Sequence, residues 1–95
     1  MPAYVVVEVT VKNAEKLQEY SAAAGPTVVA HGGVFNLRAA VVETLTGQAD
    51  FSRFVLIEFP DVQTAQGWYN SPEYQALIPL RDEGADMVFV LTEAL

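Results

Sequence analysis

Histidine is the side-chain type that titrates near neutrality, and this chain has one, His31. It stands directly before Gly32-Gly33. There it either exchanges a proton with a small enolisable or phenolic ligand, or caps the carbonyls of a helix that ends at the glycines. Arg38 offers a planar fork of donors that suits a carboxylate, and Glu58 is a candidate proton acceptor. The same two residues would equally make a structural ion pair. Trp68, Tyr69 and Tyr74 concentrate aromatic surface at helical spacing, and Tyr20 lies on an earlier helical face. Such rings either wall a flat ligand, with hydroxyls to orient it, or fill a core with their polar tips satisfied. The candidate catalytic residues are thus His31 and Glu58, and the candidate ligand-binding residues are Tyr20, Arg38, Trp68 and Tyr74. Ser71 precedes a proline and has no base beside it in sequence, which makes it a helix cap and not a nucleophile. Arg53, after a polar turn, reads as solvated, and Arg81 as a cation near a helix end.

Other chemistries lack their residues. With no cysteine there is no disulfide and no thiolate, and a single histidine cannot supply the clustered nitrogens of a typical zinc site, so no metal is expected. Gly32-Gly33 lacks the lysine and the strand-loop-helix context of a phosphate cradle, and no nicotinamide or flavin fingerprint is present. No cofactor is expected, and His31 is the sole conventional nitrogen open to a haem. Twelve carboxylates against five bases give a net charge of −7, the wrong sign for a nucleic-acid partner. No apolar run approaches the length of a membrane span, and the N-terminus has no basic start followed by an apolar stretch. The expectation is a cytoplasmic protein with no membrane partner. Residues 1–95, 10.3 kDa, are 52% hydrophobic and 18% charged, enough to bury one small core and so to form a single domain.

The elements that must position these residues follow from periodicity. Ala3 to Val11 is β-branched and apolar on nearly every residue, a strand covered on both faces. Asn13 then caps a helix whose Leu17, Tyr20 and Ala24 share one face. Gly25-Pro26 should interrupt it, and the glycine pair at 32–33 ends whatever continues. Val34 to Thr44 and Arg53 to Phe59 read as the two strands of a hairpin. Asp61 caps a helix with Val62, Ala65, Trp68 and Tyr69 on one side, and Ser71-Pro72-Glu73 restarts a second helical piece carrying Tyr74, Leu77 and Ile78 inward, which Pro79 weakens. Met87 to Thr92 is a fourth strand. The order β-α-β-β-α-β is that of the ferredoxin-like fold, an α+β sandwich with a four-stranded antiparallel sheet and helices on one face.

A period of two divides the strands between two sheet faces. Val5, Val7, Val9, Val55, Ile57, Phe59, Val88 and Val90 are purely apolar and belong under the helices. Tyr4, Val6, Glu8, Phe54, Leu56, Glu58, Asn36, Arg38, Ala40, Met87, Phe89 and Leu91 make a mixed face. It is too apolar for water, and a second copy of the chain is the simplest cover, giving a homodimer in which sheets meet. In that interface Arg38 would pair with Glu58 or Glu8, because leaving one buried partner alone costs about 3–5 kcal/mol.

The run Phe54-Val55-Leu56-Ile57-Glu58-Phe59-Pro60, with Ala65, Trp68-Tyr69, Ser71-Pro72-Glu73-Tyr74 and Leu80-Arg81, resembles the domain of unknown function 1330 family, as does the upstream Gly32-Gly33 followed by Arg38. The resemblance covers nearly the whole chain. It departs at Ala39-Ala40, where the family motif commonly has Gly-Gly, and at Gly67, where alanine is commoner. The family is similar to the dimeric α+β barrel superfamily, which implies a ferredoxin-like protomer and a sheet-to-sheet dimer. Related barrels include cofactor-independent monooxygenases, muconolactone-isomerase-like proteins, haem enzymes and plain stress or regulatory proteins, and fold likeness does not choose among them. The leading expectation is a dimeric α+β barrel that binds a small aromatic or carboxylate-bearing molecule between sheet and helices. The alternatives are a cofactor-independent enzyme acting by monooxygenase-like or isomerase-like proton transfer, and a non-catalytic structural or regulatory dimer.

Overall fold

Alternating burial along Ala3–Val11 marks the central strand, β1, in which Val5, Val7 and Val9 are buried and their neighbours only partly so. In the computed structural model, which describes residues 1–95, β1 is followed by α1 (Ala14–Ala30), β2 (Val34–Ala40), β3 (Arg53–Phe59), α2 (Val62–Tyr69), α3 (Pro72–Gln75), α4 (Ile78–Gly84) and β4 (Ala85–Glu93). The sheet order is β2-β3-β1-β4 with every pairing antiparallel. Helices pack on one face of the sheet, so the chain has the ferredoxin-like α+β arrangement that its element order predicts. No helix is long and apolar enough to cross a membrane.

Local chemistry sets the helix starts. The Asn13 side chain accepts from the Lys16 amide at 3.1 Å, Asp61 from Thr64 at 2.7 Å, and Ser71 from Tyr74 at 3.3 Å, each satisfying an orphan first-turn donor. The helix ending at Ala30 runs straight through Gly25-Pro26, against the expected interruption. Pro26 is exposed, as is Ala22, whose carbonyl loses its intrahelical donor, so water can satisfy that oxygen. Val28, 1% exposed, anchors the last turn in the core. Pro79 does not weaken a continuing helix but sits in the first turn of a new one, α4, where its missing amide costs nothing.

Three strand expectations change. β2 stops at Ala40, not Thr44: its last pair is with Arg53, the first residue of β3, and one further backbone bond, from the Val41 amide to the Ser52 carbonyl at 2.9 Å, closes the ladder. β4 is longer, from Ala85 to Glu93. Its faces are also exchanged: Val7 pairs with Phe89 and Val9 with Met87, which puts Met87 and Phe89 under the helices and leaves Val88 and Val90 about half exposed on the open face. The core cluster joins Val5, Val7, Val9, Ile57 and Phe59 of the sheet to Leu17, Tyr20, Ala24 and Val28 of α1 and to Trp68 and Tyr74 beyond.

Two glycines set close approaches. A Cβ on Gly84 would lie 2.6 Å from the Leu17 backbone nitrogen and 2.8 Å from its Cα, so α4 meets the start of α1 backbone to backbone. The Gly84 carbonyl accepts there from the amides of Lys12 (2.9 Å) and Asn13 (3.0 Å). Gly33 passes equally close to the side chains of Val28 and Phe59.

Candidate functional site

Between α1 and the helix side of the sheet lies a cavity of about 430 Å³, at the small end of ordinary ligand sites. Fifteen of its nineteen lining residues are hydrophobic, so a ligand there is held mainly by apolar contact. Val7, Val9, Val55, Ile57, Met87 and Phe89 form the sheet wall, and Leu17, Tyr20, Ser21, Ala24, Gly25 and Val28 form the α1 wall. Phe35, Arg38, Ala40 and Arg53 close one end from β2 and β3, and Trp68 of α2 closes another side.

Arg38 reaches this cavity through a β-bulge. Phe35 pairs with Ile57, but the next pair is Leu37 with Leu56, so one extra residue is taken up in β2. Arg38 then stands opposite Val55 on the helix side instead of opposite Phe54 on the open face. The sheet-face position expected for Arg38, and its pairing with Glu58 or Glu8, are accordingly corrected. The Arg38 guanidinium lies over the Phe35 ring, 4.3 Å from its centroid. Ala40 pairs with Arg53, which puts Arg53 on the same face, diagonal to Arg38.

Trp68 is 1% exposed, and its ring centroid lies 4.5 Å from that of Tyr74 and 5.5 Å from that of Phe59. Its Nε1 donates to Thr27 Oγ1 at 3.0 Å, and that hydroxyl donates to the Ala24 carbonyl at 2.7 Å, so the buried indole N–H is satisfied. Tyr20 lines the cavity with its ring, while its hydroxyl lies 2.7 Å from the Tyr74 hydroxyl. Arg81 Nη1 donates to Tyr74 Oη at 3.1 Å and to Tyr69 Oη at 3.2 Å, and its Nε to Asp82 at 3.2 Å. Burial raises the Tyr20 and Tyr74 phenols above the usual tyrosine range, with the neighbouring Tyr74 adding to the effect at Tyr20. Burial works against the Arg81 charge, but the hydrogen bonds from its guanidinium to Tyr69 and Tyr74 outweigh it, and its pKa rises.

The remaining candidates lie elsewhere. His31 caps the end of α1, with Nε2 3.2 Å from Glu73 Oε1 at the surface, and is not part of the cavity wall. The hydrogen bond of Glu73 with its own backbone amide, and then the His31 contact, hold its carboxyl below the usual range. Glu58 faces the open side of the sheet, where Asn36 Nδ2 donates to it at 2.8 Å. Tyr74 is wholly buried behind Tyr20 and does not touch the cavity. Of the six candidate residues, then, Tyr20, Arg38 and Trp68 converge on one space. Phe35, Met87 and Phe89, and Arg53, which the sequence reads as solvated, join them there without having been named as site candidates. For Arg53 a signal existed, since it has the same parity as the inward Val55 and Ile57. No three of the histidine, aspartate and glutamate side chains come together as a metal site.

A family model described as a domain of unknown function, DUF1330, matches residues 2–95. The chain belongs to the DUF1330 family. No protein of curated function matches the chain in sequence. Among solved structures, a protein of unknown function from Rhodopseudomonas palustris superposes with a TM-score of 0.85 at 19% identity, covering 99% of this chain and 82% of that one. A dimeric ferredoxin-like protein of unknown function from Jannaschia sp. CCS1 gives 0.79 at 12% identity, with coverage of 99% and 100%. SnoaB, a cofactor-independent oxygenase from Streptomyces nogalater, gives 0.70 at 14% identity, with coverage of 99% and 93%. These likenesses establish the shared fold of the DUF1330 chain and its neighbours; activity is decided by site residues.

Proposed function

We propose that this member of the DUF1330 family is a homodimeric barrel protein that binds a small aromatic or carboxylate-bearing molecule in the cavity between sheet and α1. The cavity itself carries the reading: a volume of about 430 Å³ with apolar walls, aromatic side chains from Phe35, Trp68 and Phe89, and polar groups confined to a few positions has the make-up of a small-molecule site. Binding without proton transfer is favoured over acid–base catalysis because His31 and Glu58, the two groups that could move a proton, both lie outside it. The dimer is supported by the apolar open face, where Val34, Leu37, Val88 and Val90 are exposed beside Val6 and Leu56, and by solved neighbours described as dimeric.

Native mass spectrometry of the protein purified gently from its own host tests both parts. The expected spectrum is a dimer carrying an adduct of defined mass. Gly25→Leu, which grows a side chain from a cavity-lining position where an added Cβ meets nothing within 4 Å, should lose the adduct and keep the dimer. A protein that retains no adduct and takes none up from a host extract overturns the binding reading, and a monomer overturns the dimer.

A further inference from the structure

The chain has five cationic side chains of lysine and arginine, and three of them are ion-paired: Lys12 with Asp86, Lys16 with Glu19 and Arg81 with Asp82. The two left over, Arg38 and Arg53, line the same cavity. Neither guanidinium donates a hydrogen bond to any group of the chain, although twelve carboxylates are available to it, and none of those carboxylates lines the cavity. The two arginines come from adjacent strands on one face, on diagonal positions whose Cα atoms are about 7–8 Å apart in regular sheet. Like charges so placed repel, and an anion between them relieves that repulsion. The Arg38 side chain is steadied over the Phe35 ring, so part of the cost of ordering it is met before any ligand arrives.

Resting on the binding reading above, we infer that the ligand is an apolar carboxylate, its two oxygens taken by the forks of Arg38 and Arg53 at the cavity rim and its apolar body directed toward Trp68 and Phe89. Two planar guanidinium forks suit the two oxygens of a carboxylate. Apolar walls without a single acid give the head group no competing charge. Arg53 becomes a specificity-determining residue equal in weight to Arg38. In a protein of net charge −7 this rim is a local positive site, so anion selectivity here is a property of two residues and not of the overall charge.

Isothermal titration with naphthoate, the uncharged naphthalenemethanol and naphthyl phosphate separates the possibilities. Wild-type protein should bind naphthoate at least tenfold more tightly than the alcohol. R38Q and R53Q should each weaken naphthoate by roughly tenfold to a hundredfold, the worth of one or two charge-assisted hydrogen bonds, and leave the alcohol unchanged, which also reports an intact cavity. Equal affinity of naphthoate and alcohol for the wild type overturns the carboxylate assignment and leaves the binding reading standing. Naphthoate affinity unaffected by either substitution does the same. A stronger preference for naphthyl phosphate replaces the carboxylate class by a phosphate ester and overturns it. Binding of none of the three probes overturns the cavity as a site, and this inference with it.

Discussion

The phenolic oxygens of Tyr20 and Tyr74 lie 2.7 Å apart in the core and join α1 to α3, while Arg81 of α4 donates to Tyr74 from the other side. Three helices are thus tied by one polar chain at the back of the cavity. Its two tyrosines are not equivalent. Tyr20→Phe removes one hydroxyl and leaves Tyr74 still bonded to Arg81, an expected loss of about 1 kcal/mol. Tyr74→Phe leaves the Tyr20 hydroxyl without its partner and takes one acceptor from Arg81, an expected loss of about 1–3 kcal/mol. Urea denaturation of the two variants checks the order, and a costlier Tyr20→Phe would sink the network as drawn.

Stability should fall at both ends of the pH scale for separate reasons. Burial raises the Tyr20 and Tyr74 phenols, so the folded state holds these protons more tightly than the unfolded chain. Their contribution is full below the ordinary tyrosine value of 10.0 and is lost as pH rises beyond it toward the folded values. At the acid end, hydrogen bonds from Thr64 hold Asp61 below its ordinary 3.8, and the backbone amide of Glu73 and His31 hold Glu73 below its ordinary 4.5. These stabilising contributions are present above the ordinary values and are lost as pH falls through the lowered ones. Denaturation midpoints measured across pH should show both limbs, with Tyr20→Phe flattening the alkaline one and Asp61→Asn the acid one. An alkaline limb unchanged in Tyr20→Phe would assign it to other groups.

Glycine substitutions should split sharply by position. Gly84→Ala drives a methyl into the Leu17 backbone, which cannot swing aside as a side chain can, and disturbs the carbonyl that holds Lys12 and Asn13. A loss of about 1–3 kcal/mol or more is expected. Gly67→Ala meets nothing within 4 Å in α2 and should gain about 0.5–1 kcal/mol from helix propensity alone. Thermal unfolding of the pair decides the matter, and equal effects would remove the close approach as the cause.

What could be read from the residues follows the range of the interaction involved. Caps at Asn13, Asp61 and Ser71 depend on groups three residues away, so they were legible. So were the faces of β1 and β3, where Glu8 and Thr10 in one strand and Glu58 in the other mark the side opposite Val5, Val7, Val9, Val55, Ile57 and Phe59. β4 was not, because Val88, Phe89, Val90 and Leu91 are all apolar and alternation carries no information there; only the pairing of Val7 with Phe89 fixes its parity. The bulge at Phe35–Leu37 leaves no mark in composition, yet it moves Arg38 across the sheet and converts an expected interface ion pair into a cavity arginine. Long-range contacts hid the rest: nothing near Gly84 in sequence announces Leu17.

The open sheet face supplies a test of association. Val90 pairs with Val6 and is 48% exposed in the isolated protomer, on the edge strand β4 at one side of the apolar patch. Val90→Arg places a charge where two copies would meet and should give a monomer in equilibrium ultracentrifugation, at concentrations where the parent is a dimer. Arg38→Ala, with its side chain on the opposite face, should leave the dimer affinity unchanged. The reverse pattern would restore Arg38 to the interface.

Trp68 separates a core residue from a ligand surface. Its indole is 1% exposed, contacts the rings of Phe59, Tyr74 and Phe89, and lines the cavity from one side. Trp68→Ala should therefore cost about 3–5 kcal/mol, the range for deleting a large buried ring. Thr27 keeps its bond to the Ala24 carbonyl in the variant, so little of that loss comes from a stranded hydroxyl. The vacated volume joins an existing cavity, which makes the loss repairable by a molecule that fits it. Indole added to the variant should raise its melting temperature with a dependence on concentration, as a ligand of the native state must, and should leave the parent protein almost unmoved. A denaturation midpoint that hardly shifts in Trp68→Ala would instead make the ring a contact surface for ligand, with the core closed behind it.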